Sequence, residues 1–358
     1  GEIALASGFI FDYSNMINTD TITPAVIETL ESKAKDAADA LLLIREQGMA
    51  KAHLSKDGTP EHVLFTKLPF VKNGNPNTPE SIAKLKQFGS YLQQEIDAVV
   101  FLGVGGSYLG NKVLFDIFAG SGWNVGCEKR RHGYPRVYFS GNNLDVDQYS
   151  EVVDEVEYLA THRLGKNEQF RVLLVPISKS GTTLETLAAF SYFYEQCQKS
   201  SLLQMEVAVV TDLDEDISPL YNLAKENVWQ CFDIKEGIGG FCIFSDPGLI
   251  TAAAIGMDID AFLCGARDME NACQSASLGE NPALLNAVLK YAAAEKGVDI
   301  EVFMPYAAKM KSVGEWYVQL LAESLGKRKD REGNVVYYGR TPVSAVGSTD
   351  MHAQTQQH

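Results

Sequence analysis

Short apolar runs alternate with amphipathic stretches through the middle of this 358-residue chain. Runs rich in Val, Ile, Leu and Phe occur at residues 97–103, 136–140, 171–177, 206–211 and 229–234, and helical patterns lie between them, for example at 184–198. Apolar runs of this length are typical of strands buried on both faces, and strands that alternate with helices form parallel sheets. The pattern therefore predicts an α/β fold, in which ligands bind beyond the carboxyl ends of the strands.

The pattern changes after about residue 237. A glycine-rich turn at 237–240 precedes helical runs at 247–276 and 283–297, a strand at 299–305, a helix at 312–326 and an extended stretch at 335–338. This order predicts a second α/β unit. We therefore expect three parts: an N-terminal helical segment at 1–90 that packs on the second domain, a first α/β domain at 91–236, and a second α/β domain at 237–358 that is incomplete at its C-terminus.

Composition and charge argue against several classes of protein. Hydrophobic residues make up 46% of the chain and charged residues 22%, and no apolar stretch reaches the roughly 18–20 residues that a membrane span needs. The formal net charge of −15 argues against nucleic acid or an anionic membrane as a partner. The N-terminus lacks the basic and apolar regions of a signal peptide, and six widely spaced cysteines predict reduced thiols in a cytoplasmic protein. The histidines form no metal-binding pattern, so we expect no structural metal.

A hydroxyl-rich turn follows the third apolar run. Residues 178–186 read Ser-Lys-Ser-Gly-Thr-Thr-Leu-Glu-Thr, at the predicted start of a helix. The unpaired N–H groups and the dipole of a helix N-terminus favour an anion. The candidate phosphate-binding residues are Ser178, Lys179, Ser180, Thr182 and Thr183. The alternative is a well-capped helix, because Thr182 and Glu185 have the spacing of a capping box; the spacing of a P-loop is absent.

A glycine-rich turn follows the first apolar run, where residues 103–110 read Gly-Val-Gly-Gly-Ser-Tyr-Leu-Gly. A dinucleotide-binding fingerprint would need a third glycine at position 108, which is Tyr108. Glycines here would instead let the backbone approach a ligand closely. Ser107 is predicted to begin the following helix. The alternative is a tight strand-to-helix turn that has no ligand.

One predicted helix near the C-terminus carries paired polar residues. Gln319 and Glu323 are four residues apart, so they share a helix face. The apolar face of this helix is predicted to pack on the core through Trp316, Leu320, Leu321 and Leu325. His352 follows a turn of small residues. A single Glu on a helix is usually solvated and a single His is usually structural, so neither residue decides a function alone.

In order and spacing, these motifs resemble those of the glucose-6-phosphate isomerase family. The resemblance covers nearly the whole chain and includes the sequence Gly-Tyr-Pro-Arg-Val-Tyr-Phe-Ser-Gly-Asn-Asn-Leu-Asp at 133–145. It implies two sugar-isomerase-type αβα sandwich domains with mainly parallel sheets. It also implies an aldose–ketose isomerase that interconverts glucose 6-phosphate and fructose 6-phosphate without a cofactor, as a cytoplasmic homodimer.

The resemblance assigns a role to each motif. The turn at 178–183 matches the family's phosphate loop. Gly106, Ser107 and Gln319 match positions that contact the sugar. Glu323 matches the base that moves a proton between C1 and C2, and His352 matches the histidine that helps open the sugar ring. One base on one face of a cis-enediol, with stabilisation of the developing enediolate, suits this chemistry.

Two features depart from the family pattern. The family sequence Gly-Gly-Arg-Phe-Ser has an arginine near the enediolate, whereas here Phe241 follows Gly240 directly, and a family lysine on a C-terminal helix has no counterpart, because the chain stops six residues after His352. Losing a fixed charge in such a site can cost on the order of 10²–10³ in rate. We expect the encoded protein to contain both groups. The alternative is a real loss, which would leave a non-catalytic sugar-phosphate-binding sensor.

Overall fold

The computed structural model describes residues 1–17, 22–55, 58–166, 168–330 and 332–354. Its strands are β1 Glu2–Ala4, β2 Ile10–Asp12, β3 Met49–Leu54, β4 Pro60–His62, β5 Ala98–Leu102, β6 Arg136–Ser140, β7 Phe170–Pro176, β8 Leu203–Thr211, β9 Gln230–Asp233, β10 Ile300–Phe303, β11 Lys327–Lys329, β12 Val335–Tyr338 and β13 Thr341–Ser344. Its α-helices are α1 Pro24–Gln47, α2 Pro79–Glu95, α3 Gly106–Leu114, α4 Val146–Thr161, α5 Leu184–Lys199, α6 Pro219–Glu226, α7 Asp246–Ala254, α8 Ile259–Ala272, α9 Pro282–Ala294, α10 Lys311–Leu325 and α11 Met351–Gln354.

The five predicted apolar runs form one parallel sheet with the strand order β6-β5-β7-β8-β9. Helices α2, α3, α7 and α8 cover one face, and α4, α5 and α6 cover the other. Every residue of β5 is buried, as expected for a strand with helices on both sides. The predicted α/β class with a parallel sheet is confirmed.

Helix α7 is buried along its whole length, because it lies between the sheet and the helices α2 and α3. A Cβ atom at Gly89 would lie 3.0 Å from the carbonyl oxygen of Ala253, so this glycine lets α2 and α7 approach closely. The helical run predicted at 247–276 is divided into α7 and α8. Gly256 has φ +69° in the connection, and the Asp258 side chain accepts a hydrogen bond from the Ala261 N–H and caps α8.

The C-terminal part has a smaller sheet. Strands β10 and β13 form a two-stranded parallel pair, and α10 packs against β13. Glu301 on β10 pairs with Lys290 on α9 and, at 3.1 Å, with Arg340, and it accepts a hydrogen bond from Tyr317 on α10. This half-buried network holds α10 in place. The predicted division at residues 90 and 236 stays a prediction.

The N-terminal segment contains two long helices and two short antiparallel hairpins, β1–β2 and β3–β4. Helix α1 packs on α9, where Ala34 and Ala38 contact a cluster with Leu284 and Val288. Among the described residues, no helix combines the length and the apolarity that a membrane span requires.

Candidate active site

Two of the predicted turns leave the same edge of neighbouring strands. Strands β5 and β7 are adjacent and parallel, and the Ile177 N–H donates to the Leu102 carbonyl at 2.8 Å. The turn after β5 and the turn after β7 therefore lie side by side at the carboxyl edge of the sheet. This is the position where open α/β sheets bind ligands.

The turn at 178–183 is held by its own hydroxyl groups. The Ser178 and Thr183 hydroxyl oxygens are 2.7 Å apart, and those of Ser180 and Thr182 are 2.8 Å apart. Gly181 has φ +65°, and a Cβ atom there would lie 2.3 Å from the Ser218 Oγ, so only glycine fits. Ser178 is buried, whereas Lys179, Ser180 and Thr182 are exposed. The exposed side chains can therefore reach a ligand.

The capping box predicted for this turn is wrong. The N-cap residue of α5 is Thr183, and no side-chain capping bond forms, because the Thr183 hydroxyl pairs with Ser178 and the Thr182 hydroxyl with Ser180. The first N–H groups of α5 therefore lack a side-chain acceptor. Free N–H groups at a helix N-terminus favour an anion, and the binding of a phosphate at this turn stays a prediction.

The glycine turn after β5 contacts the helix that carries the paired polar residues. Helix α3 begins at Gly106, one residue before the predicted start. A Cβ atom at Gly105 would lie 3.1 Å from the Gln319 Nε2. The Gln319 Nε2 donates to the Glu323 Oε1 at 2.8 Å, so these side chains share a face as predicted. The Gln319 Oε1 is shielded from solvent and accepts no hydrogen bond from the described residues.

A second glycine turn, which contains Gly240, also contacts α10. A Cβ atom at Gly240 would lie 2.5 Å from the Leu320 Cδ2 and 3.9 Å from the Glu323 Oε2. The Trp316 Nε1–H donates to the Gly240 carbonyl at 3.0 Å, and the Cys242 thiol donates to the Gly106 carbonyl at 2.8 Å. Three segments distant in sequence therefore meet around Glu323, whose own side chain is exposed.

Sequence reasoning missed two residues here. Cys242 was treated only as a buried thiol and Trp316 only as a core residue, but each ties one glycine turn to its neighbour. Burial raises the pKa of the Cys242 thiol to about 12, so the thiol stays protonated and can donate. No sequence pattern signals such contacts. Leu325, which was predicted to face the core, is 36% exposed because it lies in the last turn of α10.

Phe241 follows Gly240 directly, at the point where the family pattern has an arginine. Gly240 and Phe241 are consecutive within the described range 168–330. The Phe241 ring stacks on Phe65 with 4.3 Å between the ring centroids, and it meets Trp316 edge-on at 6.5 Å. An apolar side chain therefore follows this turn and packs between the N-terminal segment and α10.

His352 lies apart in sequence, in the short helix α11, and is exposed. The preceding turn is held by two bonds: the Gly347 N–H donates to the carbonyl of Pro305, which follows β10, at 3.0 Å, and within the turn the Val346 N–H donates to the Asp350 carboxylate at 2.6 Å. The contacts of the described residues do not link His352 to Glu323 or to the turn at 178–183. Within the described ranges, no group of three His, Cys, Asp or Glu side chains could hold a metal ion.

The chain matches the family model described as phosphoglucose isomerase over residues 80–357. It is 34% identical to the glucose-6-phosphate isomerase of Carboxydothermus hydrogenoformans over 293 residues, which are 82% of this chain and 59% of that protein. It is 32% identical to the glucose-6-phosphate isomerase of Clostridioides difficile over 77% of this chain and 58% of that protein. The chain therefore spans less than two thirds of the length of these relatives.

Two solved structures are similar over most of the chain. A glucose-6-phosphate isomerase from Chlamydia trachomatis has a TM-score of 0.77 at 23% identity, covering 99% of this chain and 66% of that chain. A hypothetical protein from Thermus thermophilus has a TM-score of 0.68 at 27% identity, covering 93% of this chain and 69% of that chain. Both similarities extend beyond the five-stranded sheet.

Proposed function

Because this chain belongs to the phosphoglucose isomerase family, we propose that it interconverts glucose 6-phosphate and fructose 6-phosphate. One observation carries the proposal: the Glu323 carboxylate lies beside Gly240, and Gln319, to which it is bonded, lies beside Gly105, so the pair meets two glycine turns at the carboxyl side of a parallel sheet. Glycines at these turns let the backbone approach α10, and hence a sugar bound beside the base, closely. A neighbouring helix N-terminus without a side-chain cap accommodates the phosphate.

The phosphate is proposed to bind at the turn 178–183. The hydroxyls of Ser180, Thr182 and Thr183 and the N–H groups of α5 would donate hydrogen bonds to the phosphate oxygens, and the exposed Lys179 ammonium would add a positive charge. A local site of this kind is needed because the whole chain, with a formal net charge of −15, repels anions.

The proton transfer is assigned to Glu323. In the direction of fructose 6-phosphate, the carboxylate removes the proton from C2 of the open-chain aldose, which gives a cis-enediolate with its charge on O1. The O2 hydroxyl proton passes to O1, and the protonated Glu323 returns its proton to C1 on the same face as the C2 carbonyl forms. The Gln319 amide orients this carboxylate through its Nε2–H, and its side chain is proposed to contact the sugar. Gly106 and Ser107 are proposed to contact the sugar, and His352 is proposed to protonate the ring oxygen on opening. The route uses no cofactor.

Ligand-dependent thermal unfolding, followed by an assay of turnover, tests the proposal. We expect stabilisation by fructose 6-phosphate but little by free fructose, with about 1.4 kcal/mol for each tenfold excess over Kd. Ser180→Ala and Thr183→Ala should each weaken the binding by about 1–2 kcal/mol, whereas Ser201→Ala, in the exposed loop after α5, should not. Equal stabilisation by both sugars would contradict the phosphate site. Binding without turnover would favour the sensor function.

We also propose that the protein is cytoplasmic and forms a homodimer. All six cysteines are free, which suits a reducing compartment.

The β12 side chains, Val335 to Tyr338, are all exposed, and a row of exposed apolar groups is typical of a contact surface. Light scattering measures the state in solution: a monomer at all concentrations, or an unchanged dimer in the Tyr337→Lys variant, would contradict the dimer or its surface.

A further inference from the structure

Two buried hydroxyl groups lie on the inner side of the turn at 178–183. Thr211 is the last residue of β8, and Ser218 is the N-cap residue of α6. Both side chains are fully buried, and their hydroxyl oxygens are 2.6 Å apart. Because β7 and β8 are adjacent parallel strands, the residues at the end of β8 lie next to the turn that follows β7.

The turn contacts this pair of residues at two points. The Thr211 hydroxyl donates to the Lys179 carbonyl at 3.4 Å, and the Asp212 N–H donates to the same carbonyl at 3.2 Å. At Gly181 the backbone rests on Ser218, since a Cβ atom there would lie 2.3 Å from the Ser218 Oγ. The pair therefore fixes the backbone of the turn at two positions.

The hydrogen bonds of the pair have one consistent direction. A hydroxyl group donates one bond and can accept two. The Ser218 Oγ accepts the Tyr221 N–H at 3.2 Å, and the Thr211 proton is used on Lys179, so the Ser218 hydroxyl donates to Thr211. The resulting chain runs from the start of α6 through two hydroxyls to the Lys179 carbonyl. Away from water, such bonds are stronger than at the surface.

The direction of the Lys179 carbonyl determines where the next N–H points. The Lys179–Ser180 peptide bond is trans, and in a trans peptide the C=O and N–H groups point in opposite directions. Because the carbonyl points inward to Thr211, the Ser180 N–H points to the outer side of the turn, where the side chains of Ser180 and Thr182 are exposed. The buried pair thus sets the direction of a main-chain donor.

We propose that Thr211 and Ser218 are positioning residues for phosphate binding: their hydroxyl chain holds the turn in the shape that directs the Ser180 N–H toward the phosphate. This role rests on the proposed binding of sugar phosphate at 178–183. Neither side chain touches the ligand, because both are buried behind the turn. Loss of the chain should therefore weaken phosphate binding and leave the proton transfer at Glu323 unchanged.

Two substitutions at position 211 separate the hydroxyl from the space that it fills. Thr211→Val keeps the size of the side chain and removes the hydroxyl, whereas Thr211→Ser keeps the hydroxyl. Calorimetric titration of the full chain with fructose 6-phosphate and with inorganic phosphate measures binding. We expect Thr211→Val to raise both Kd values about fivefold at an unchanged kcat, and Thr211→Ser to bind like the parent. A variant that is only less stable would lose kcat with its folded fraction and keep its Kd.

Ser218→Ala tests the other end of the hydroxyl chain. This substitution also removes the side-chain cap of α6, so the control is Thr23→Ala, which removes the side-chain cap of α1 in the N-terminal segment. Both variants should be less stable to denaturant. Only Ser218→Ala should weaken the binding of inorganic phosphate, again about fivefold.

The outcomes distinguish the positioning role from the phosphate site itself. Affinity equal to that of the parent in either Thr211→Val or Ser218→Ala would overturn the positioning role and leave the phosphate site intact. Equal losses in Thr211→Val and Thr211→Ser would overturn it too, because packing and not the hydroxyl would then matter. If the parent chain binds neither fructose 6-phosphate nor inorganic phosphate, the proposed function fails together with the positioning role.

Discussion

The two regions that form the candidate active site are packed very differently. In the five-stranded sheet, Phe101 and Leu174 are 2% exposed or less, whereas Ile300 and Val302 in the two-stranded β10–β13 pair are 62% and 39% exposed. The turn at 178–183 belongs to the first region, and Gln319 and Glu323 belong to the second. The proposed anion site is thus fixed by a large core. The proposed base depends on a few specific contacts to reach its position.

Two sets of contacts hold α10, the helix that carries Glu323. The Trp316 Nε1–H bonds to the Gly240 carbonyl, and the network around Glu301 holds the other side of α10. The proposed phosphate binding and the proposed proton transfer therefore have separate structural supports. Substitutions in one region are expected to affect one property far more than the other.

The largest expected effect is on turnover, at Glu323. Glu323→Gln keeps the shape and the bond to Gln319 but removes the base, so kcat should fall by about 10²–10⁴ while fructose 6-phosphate still binds. Exchange of the C2 proton of the substrate with solvent should stop as well. Glu295→Gln, at the exposed end of α9, is the control. Normal turnover in the Glu323 variant would remove the assignment.

The next effect is on stability and compares the two regions directly. Phe101→Ala leaves a cavity in the large core and should lower the free energy of unfolding by about 3–5 kcal/mol. Phe303→Ala, at a half-buried position stacked on Tyr317 with 4.9 Å between the centroids, should cost less than half as much. Denaturant unfolding measures both. Equal losses would show that the smaller sheet is packed as well as the larger one.

Asp246, a buried carboxyl group at the start of α7, should make the free energy of unfolding depend on pH. Burial, with a smaller contribution from the neighbouring Asp233 carboxylate, raises the pKa of Asp246 to about 6, although the hydrogen bond from the Asp233 N–H acts in the opposite direction. The folded state therefore holds a proton that the unfolded state releases near pH 4, so the free energy of unfolding falls as pH rises from about 4 to 6.

Asp246→Asn should remove this loss, since its amide oxygen can still accept the bond that the Asp233 N–H now donates to Asp246 at 3.1 Å. The gain of the variant over the parent should grow by about 2–3 kcal/mol between pH 4 and pH 7. Unfolding at a series of pH values checks this, with the exposed Asp154→Asn as the control. A gain independent of pH would contradict the titration of Asp246.

The smallest expected effect concerns the hydrogen bond from Trp316 on α10 to the Gly240 carbonyl. Trp316→Phe removes one hydrogen bond to Gly240 and keeps the ring, so turnover should fall about fivefold, near 1 kcal/mol, with little change in the affinity for fructose 6-phosphate. Trp123→Phe is the matched control, because its Nε1–H bonds to the Pro135 carbonyl at 2.9 Å, away from the site. If both variants lose turnover in proportion to their stability, Trp316 has no positioning role.

Local periodicity was enough to predict the five strands of the main sheet, their parallel direction with helices between them, and the shared helix face of Gln319 and Glu323, because a helix has 3.6 residues per turn and buried strands have continuous apolar runs. Glycine and hydroxyl residues marked the two turns that follow β5 and β7, although a ligand-free turn would have the same residues. Sequence reasoning failed where hydroxyl groups had a choice of partner, as in the wrong capping box at Thr182, and where one apolar run held two helices around Gly256.

Which segments contact one another could be seen only in the tertiary structure. The bonds of Cys242 to Gly106 and of Trp316 to Gly240 join residues 136 and 76 positions apart. Such contacts depend on how the helices and strands pack together, which the periodicity within one segment does not specify. The sequence therefore showed which chemical groups each segment carries, whereas the distances between these groups were set by the fold.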